Sequence, residues 1–171
     1  MKSIAFTGAE STGKTTLVNA LHEKYPDLVV VTNLTRSVDG YLNKSDDIQK
    51  QIMAAYVSKL TSVLCFDNKN FLCDRTLFDV CAYSKVKGVW DDSYIKGVLG
   101  MYKHTRIFPE YLFYLPIEFP MVQDGGRPEG TRNQIDAAIK GFLDEHCPMS
   151  YDTITGGVEE RVQKITTILN N

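Results

Sequence analysis

The chain has 171 residues, with 19 Lys and Arg against 21 Asp and Glu and a formal net charge of −2. That length suits one domain that buries roughly 70% of the surface its unfolded form would expose, and 43% hydrophobic with 23% charged residues excludes the disordered and fibrous classes. The near-balanced charge excludes the global electrostatic footprint of a nucleic-acid-coating protein and leaves room for a local basic site.

In chain order, residues 2–7 (KSIAFT) are mostly apolar, β-prone and followed at once by glycine, as in a short buried strand. One Lys and the run Ile4-Ala5-Phe6 are too little for a signal peptide, and nothing downstream reaches the apolar length of a membrane span. Leu17, Val18 and Leu21 recur at helical spacing from Lys14 to Tyr25, where Pro26 stops the pattern. Leu28-Val29-Val30-Val31 predicts a second strand, and the polar stretch 33–46 a loop or short helical piece. Ile48, Ile52, Ala55, Tyr56, Leu60, Val63 and Leu64 predict a long amphipathic helix over 47–67. Phe71-Leu72-Cys73 predicts a third strand ending at Asp74-Arg75, and helices follow through Ala82 and Tyr83 and over 92–104. Tyr111 to Leu115 is the clearest aromatic-rich strand, with Pro116 and Pro120 at its exit. The Gly- and Pro-rich segment 121–130 has the composition of a flap, and a helix over 131–145, a short strand at 151–155 and a final helix ending near Leu169 complete the chain.

Strands alternating with helices predict βαβ units, hence an α/β fold with a mainly parallel sheet covered on both faces. The whole chain, 1–171, is expected to be a single domain with a lid at about 121–132. Ligands of such a sheet belong at the C-terminal strand ends, and the chemically interesting residues fall there. The four cysteines, at 65, 73, 81 and 147, form no C-x-x-C pair and no metal-ligand spacing. They suit buried or free thiols and a cytoplasmic location.

Gly8-Ala9-Glu10-Ser11-Thr12-Gly13-Lys14-Thr15 matches G-x-x-x-x-G-K-[ST] in full, between a predicted strand and a predicted helix. The glycines let successive N–H groups point into one concavity, and the helix N-terminus adds partial positive charge, so a polyphosphate is the expected guest. With Thr16, these residues form the expected nucleotide-binding set; Lys14 reaches the β- and γ-phosphates and Thr15 is placed to ligate Mg²⁺. Asp74 can hold the same ion or accept the proton of an attacking hydroxyl, and Arg75 can bind an acceptor phosphate or the charge developed in transfer. Taken alone, an Asp-Arg dipeptide also reads as a structural salt bridge. Arg127 and Arg132, in or beside the flap segment with Asp124, suit a lid that closes over ATP, and either can serve as an internal arginine finger. Arg36, with Asp39 and Tyr41 behind it, is placed to reach the acceptor substrate. Asn43-Lys44-Ser45-Asp46 spells the guanine-reading N-K-x-D pattern, but it precedes the third strand instead of following a late one, and a helix N-cap at Ser45 or Asp46 explains it better.

On these residues the chain resembles the P-loop nucleoside and nucleotide kinases. Within them it is similar to the small ATPase/kinase family that includes the nicotinamide ribonucleoside kinase domain of bacterial NAD-salvage regulators. GAESTGKTTL at 8–17, DRTLFDVCAYS at 74–84, DGGR at 124–127 with Arg132, and the tail ITGGVEERV at 154–162 carry the resemblance. Asn33-Leu34-Thr35-Arg36 keeps the arginine after strand two without the acidic residue that often precedes it in the family. The resemblance implies a three-layer sandwich around a five-stranded parallel sheet of order 2-3-1-4-5 with a short lid, and ATP with Mg²⁺ as donor. It further implies Asp74 as base or metal-associated carboxylate, Arg75 near the acceptor, Arg127 and Arg132 on the lid, and the turn at Gly156 and Gly157 beside the adenine.

The leading expectation is an ATP-dependent kinase that transfers the γ-phosphate to a small nucleoside or nucleotide. A second reading places the acceptor hydroxyl on a polynucleotide or a modified DNA base, against which the acidic balance speaks. A third is a nucleotide-gated binding module without transfer to a small molecule, whose mark would be a missing catalytic carboxylate. The expected partners are the triphosphate and a small acceptor, with no membrane, and a homodimer is compatible with each reading.

Overall fold

The computed structural model describes residues 3–32, 34–41, 45–66, 70–105, 107–121 and 129–170. Five strands, β1 (Ser3–Thr7), β2 (Val29–Val31), β3 (Phe71–Asp74), β4 (Tyr111–Tyr114) and β5 (Asp152–Thr153), form one sheet in the order β2-β3-β1-β4-β5. Every neighbouring pair is parallel, with Ala5 beside both Cys73 and Leu112, Val31 beside Cys73, and Phe113 beside Asp152. The sheet order is the one that the family resemblance implied, and helices cover both faces.

Six helices, α1 (Lys14–Lys24), α2 (Asp46–Thr61), α3 (Leu77–Val86), α4 (Asp92–Tyr102), α5 (Arg132–His146) and α6 (Val158–Asn170), connect and cover the strands. Side-chain alternation along the strands builds two cores. Ala5, Cys73, Leu112 and Tyr114 pack with Tyr56, Phe78 and Ile139 on the face carrying α2 to α5, while Ile4, Phe6, Leu72 and Phe113 pack with Leu17, Leu21 and Ile165 beneath α1 and α6. Phe6 and Phe113 stack across the second face at 5.7 Å between centroids.

Local signals set the helix starts. Ser45 caps α2 by accepting from the Ile48 N–H at 3.4 Å, so the N-K-x-D lookalike is in part a helix start. Thr76 and Asp79 form a capping box at α3. The helix expected over 47–67 is in fact α2 followed by a π turn, Ser62–Phe66, which keeps Val63 fully buried. The last strand is shorter than the expected 151–155, because only Asp152 and Thr153 pair with β4. Cys73 and Cys81 are buried free thiols and Cys147 is a half-buried one. No described helix is long and apolar enough to cross a membrane.

Candidate active site

All five strands release functional side chains at one edge of the sheet, into a cleft of about 710 Å³. The loop after β1 supplies Glu10 to Gly13, with Lys14 to Thr16 at the start of α1; β3 supplies Asp74 and Arg75; the segment after β2 supplies Leu34 to Arg36; those after β4 and β5 supply Phe119 and Gly156. This is the strand-end location that an open parallel sheet favours for ligands.

The loop takes its curl from three residues in the left-handed region, Gly8 (φ 148°), Ser11 (φ 56°) and Gly13 (φ 87°). Gly8 is required twice over, since a Cβ there would stand 2.4 Å from the Leu115 carbonyl. Gly13 caps α1 with no side-chain cap, and no acidic residue occupies the first turn. That end therefore has the donors and dipole sign an anion needs.

Five successive loop carbonyls accept from cationic side chains. Lys14 Nζ donates to Gly8 O at 2.7 Å and Ala9 O at 2.5 Å. Arg132 donates through Nε to Glu10 O at 2.9 Å and through Nη2 to Ser11 O at 3.1 Å, while its Nη1 reaches Phe119 O at 2.9 Å. Arg161 Nη1 donates to Thr12 O at 2.6 Å. Lys14 is 4% exposed, and burial, followed by the neighbouring Arg75 charge, lowers its ammonium to about 8.

The Thr15 hydroxyl donates to Asp74 Oδ2, while the other carboxylate oxygen, Oδ1, is buried without a hydrogen-bond partner. A hydroxyl beside a carboxylate with an uncommitted buried oxygen fits Mg²⁺, which takes few protein ligands and completes its shell with water and phosphate oxygens. Among the described residues, no group of three His, Cys, Asp or Glu side chains forms a protein-only metal cage.

Arg75 sits at φ 99°, a rare conformation for a non-glycine residue, pinned by its N–H to Phe6 O at 3.0 Å. Its guanidinium lies 5.5 Å from the Tyr83 ring centroid and 3.5 Å from Asp79 Oδ1. Asp79 is itself held by the Thr7 hydroxyl at 2.8 Å and the Thr76 N–H at 2.8 Å. Burial pushes the Tyr83 hydroxyl well above the usual phenol range, so it remains the donor to Glu10 Oε2.

Lys14, Thr15, Thr16, Asp74, Arg75, Arg36 and Gly156 all line the cleft, whereas Asp39 is exposed and Gly157 is exposed, and neither lines it. Gly8 and Ala9, at the start of the loop, are buried and do not line the cleft. Arg132 is 7% exposed, with its nitrogens on backbone carbonyls of the loop and of Phe119. Arg127 and Asp124 lie outside the described residues. Sequence reasoning placed Glu10 in the nucleotide-binding loop but missed Arg161 and the aromatic wall of Tyr56 and Tyr83. Arg161 and Tyr83 fell inside segments noticed only for their likeness to a family, and nothing local marks an arginine in the first turn of a C-terminal helix as a partner of a loop 149 residues earlier.

Residues 3–161 match the AAA domain family. The chain belongs to that family. No curated protein matches this AAA domain in sequence. Its fold is that of P-loop nucleoside and nucleotide kinases. A deoxyadenosine kinase from M. mycoides with bound dATP aligns at TM-score 0.72 and 15% identity, over 99% of this chain and 100% of that one. Thymidylate kinase from Ehrlichia chaffeensis aligns at 0.69 and 17%, over 98% of each chain, and that from Candida albicans at 0.65 and 16%, over 99% and 91%. At these identities the likeness is one of fold.

Proposed function

We propose that this AAA domain is an ATP-dependent phosphotransferase acting on a small nucleoside or nucleotide. The observation that supports this reading is the two-winged shape of the cleft about a central phosphate loop. In the sheet order, the loop after β1 is central, with Phe119 and Gly156 following β4 and β5 on one side. The segment after β2 and helices α2 and α3 add Tyr41, Gln49, Ile52, Tyr56 and Tyr83. A nucleotide switch needs one organic wing, whereas a transferase needs a second for its acceptor, and aromatic walls with a few polar groups are what a nucleoside-sized ligand takes.

In this reading Lys14 leaves the Gly8 and Ala9 carbonyls for the β- and γ-phosphates, and the uncapped start of α1 donates to the same oxygens. Thr15 and Asp74 would hold Mg²⁺, which supplies charge neutralisation on the phosphates. In its alternative role, as base instead of metal-associated carboxylate, Asp74 would take the proton of an acceptor hydroxyl as that oxygen bonds to the γ-phosphorus and the β–γ bridging bond breaks, releasing ADP. Arg75, held by Asp79 and Tyr83, faces the acceptor wing as the cation for an acceptor phosphate or the transferred group. Arg127 would act from the lid, and Arg132, at the buried start of α5, would act by holding the Glu10 and Ser11 carbonyls of the phosphate loop.

ADP release should be measured with ATP and a panel of nicotinamide riboside, the nucleosides, the nucleoside monophosphates and a hydroxymethylated oligonucleotide. Stimulation by a small nucleoside or nucleotide is expected. Stimulation by the oligonucleotide alone, or by nothing in the panel, would overturn the assignment.

A further inference from the structure

We infer that Arg161 and Glu118 are positioning residues that lock the wing containing Phe119 and Gly156 to the phosphate loop, so that base binding and phosphate binding are coupled through one guanidinium. The inference rests on the ATP-site reading above. Arg161 is 2% exposed and gathers three segments that are remote in sequence. Its Nη1 donates to Thr12 O in the loop after β1, and its Nη2 donates to Glu118 Oε2 at 2.6 Å in the segment after β4. The guanidinium lies 5.1 Å from the Phe119 ring centroid. The same Glu118 oxygen accepts the Gly156 N–H at 3.0 Å, from the turn after β5.

Stability alone does not account for this arrangement. A buried ion pair contributes little net stability compared with apolar packing of the same volume, and Arg161 also leaves its Nε buried without a partner. What the guanidinium supplies is orientation. In a planar trans peptide the carbonyl and the N–H point in opposite directions, so fixing Thr12 O toward Arg161 turns the Gly13 N–H away from it. That N–H belongs to the N-cap of the helix whose start has no side-chain cap. Arg161 thus holds a phosphate donor in place from behind, while Glu118 carries the constraint onward to Gly156. Phe119 and Val158, both exposed apolar groups lining this wing at 41% and 39%, offer the base its surface.

The two halves of the strut separate by ligand. Inorganic tripolyphosphate senses only the Thr12–Gly13 peptide, whereas ATP also senses the Gly156 wing. Calorimetric dissociation constants for both, with Mg²⁺, are compared for the parent protein, Arg161→Met, Arg161→Lys and Glu118→Gln, with thermal unfolding to verify folding. Loss of one charge-assisted hydrogen bond corresponds to about tenfold to a hundredfold in affinity. Arg161→Met is expected to weaken both ligands by that factor, and Arg161→Lys to recover part of the loss. Glu118→Gln is expected to weaken ATP about tenfold while leaving tripolyphosphate unchanged. A merely structural role would lower the melting temperature without moving either affinity of the folded Arg161 variants or the ratio of the two affinities in Glu118→Gln. Folded Arg161 variants that bind both ligands as the parent does would overturn the inference. Should the Arg161 variants not fold, Glu118→Gln decides, since an unchanged ratio of ATP to tripolyphosphate affinity overturns it equally. A parent protein that binds neither ligand would instead remove the ATP-site reading, and the inference with it.

Discussion

Replacing Asp74 by Asn removes one negative charge from the cleft and almost nothing else. The Thr15 hydroxyl donates to one carboxylate oxygen, and an asparagine carbonyl can accept that bond in the same place. The other oxygen is buried and unpartnered, so its replacement by an amide NH₂ breaks no hydrogen bond of the protein. Folding stability should therefore change by less than about 1 kcal/mol. The position loses the ability to take a proton from an acceptor hydroxyl, and positioned general bases contribute about 10²- to 10⁴-fold. That range corresponds to about 2.7–5.4 kcal/mol of barrier. The assay is ADP release with the acceptor found by the panel, with calorimetric ATP binding in the absence of Mg²⁺ alongside. The expected outcome is a fall in kcat by two to four decades with metal-free ATP affinity within about threefold. Turnover within threefold of the parent would refute the role of Asp74, whatever happens to binding.

The lowered Lys14 ammonium sets a pH dependence in two opposite senses. Its folded-state value, about 8, lies below the 10.5 of an unperturbed lysine, so the unfolded chain binds more protons across that window. This group's contribution to stability is least favourable below 8 and improves as pH rises toward 10.5. Binding runs the other way, because the phosphates need the ammonium: ATP affinity should be flat below pH 8, weaken above it, and lose that step in Lys14→Ala. Affinity constant from pH 7 to 9.5 in the parent would contradict this. Arg132→Met strands three carbonyls and should cost about 3 kcal/mol or more, a drop of about 6–12 °C in melting temperature. An unchanged melting temperature with lost turnover would assign Arg132 to charge stabilisation alone. Gly8→Ala forces a Cβ to 2.4 Å from the Leu115 carbonyl at φ 148° and should cost about 2 kcal/mol or more; urea unfolding at the parent's midpoint would show that the loop tolerates the contact.

Much of the fold was legible because its signals are local. The first four strands read from their own apolar runs, Ser45 and Thr76 stand where their helices start, and Pro26 ends the first helical pattern. The π turn after α2 was not legible, because the apolar spacing runs through it unbroken to Val63 and Leu64. Asp39 was attractive only through its nearness in sequence to Arg36, and in the turn it faces solvent while Arg36 and Tyr41 line the cleft.

By itself the sequence determined the phosphate loop, since glycines, lysine and threonine at fixed offsets impose the curl and place the charge within eight consecutive residues from Gly8 to Thr15. It likewise determined that Asp74 and Arg75 leave the end of a strand together. Only the tertiary structure decided what surrounds them. That Arg132 and Arg161 hold the loop's carbonyls, that Tyr83 meets Glu10, and that Glu118 ties Arg161 to Gly156 depend on which strands are neighbours in the sheet. Contacts between residues 121 and 149 positions apart leave no periodicity or spacing in the chain. They exist because packing five parallel strands brings all their C-terminal ends to one edge.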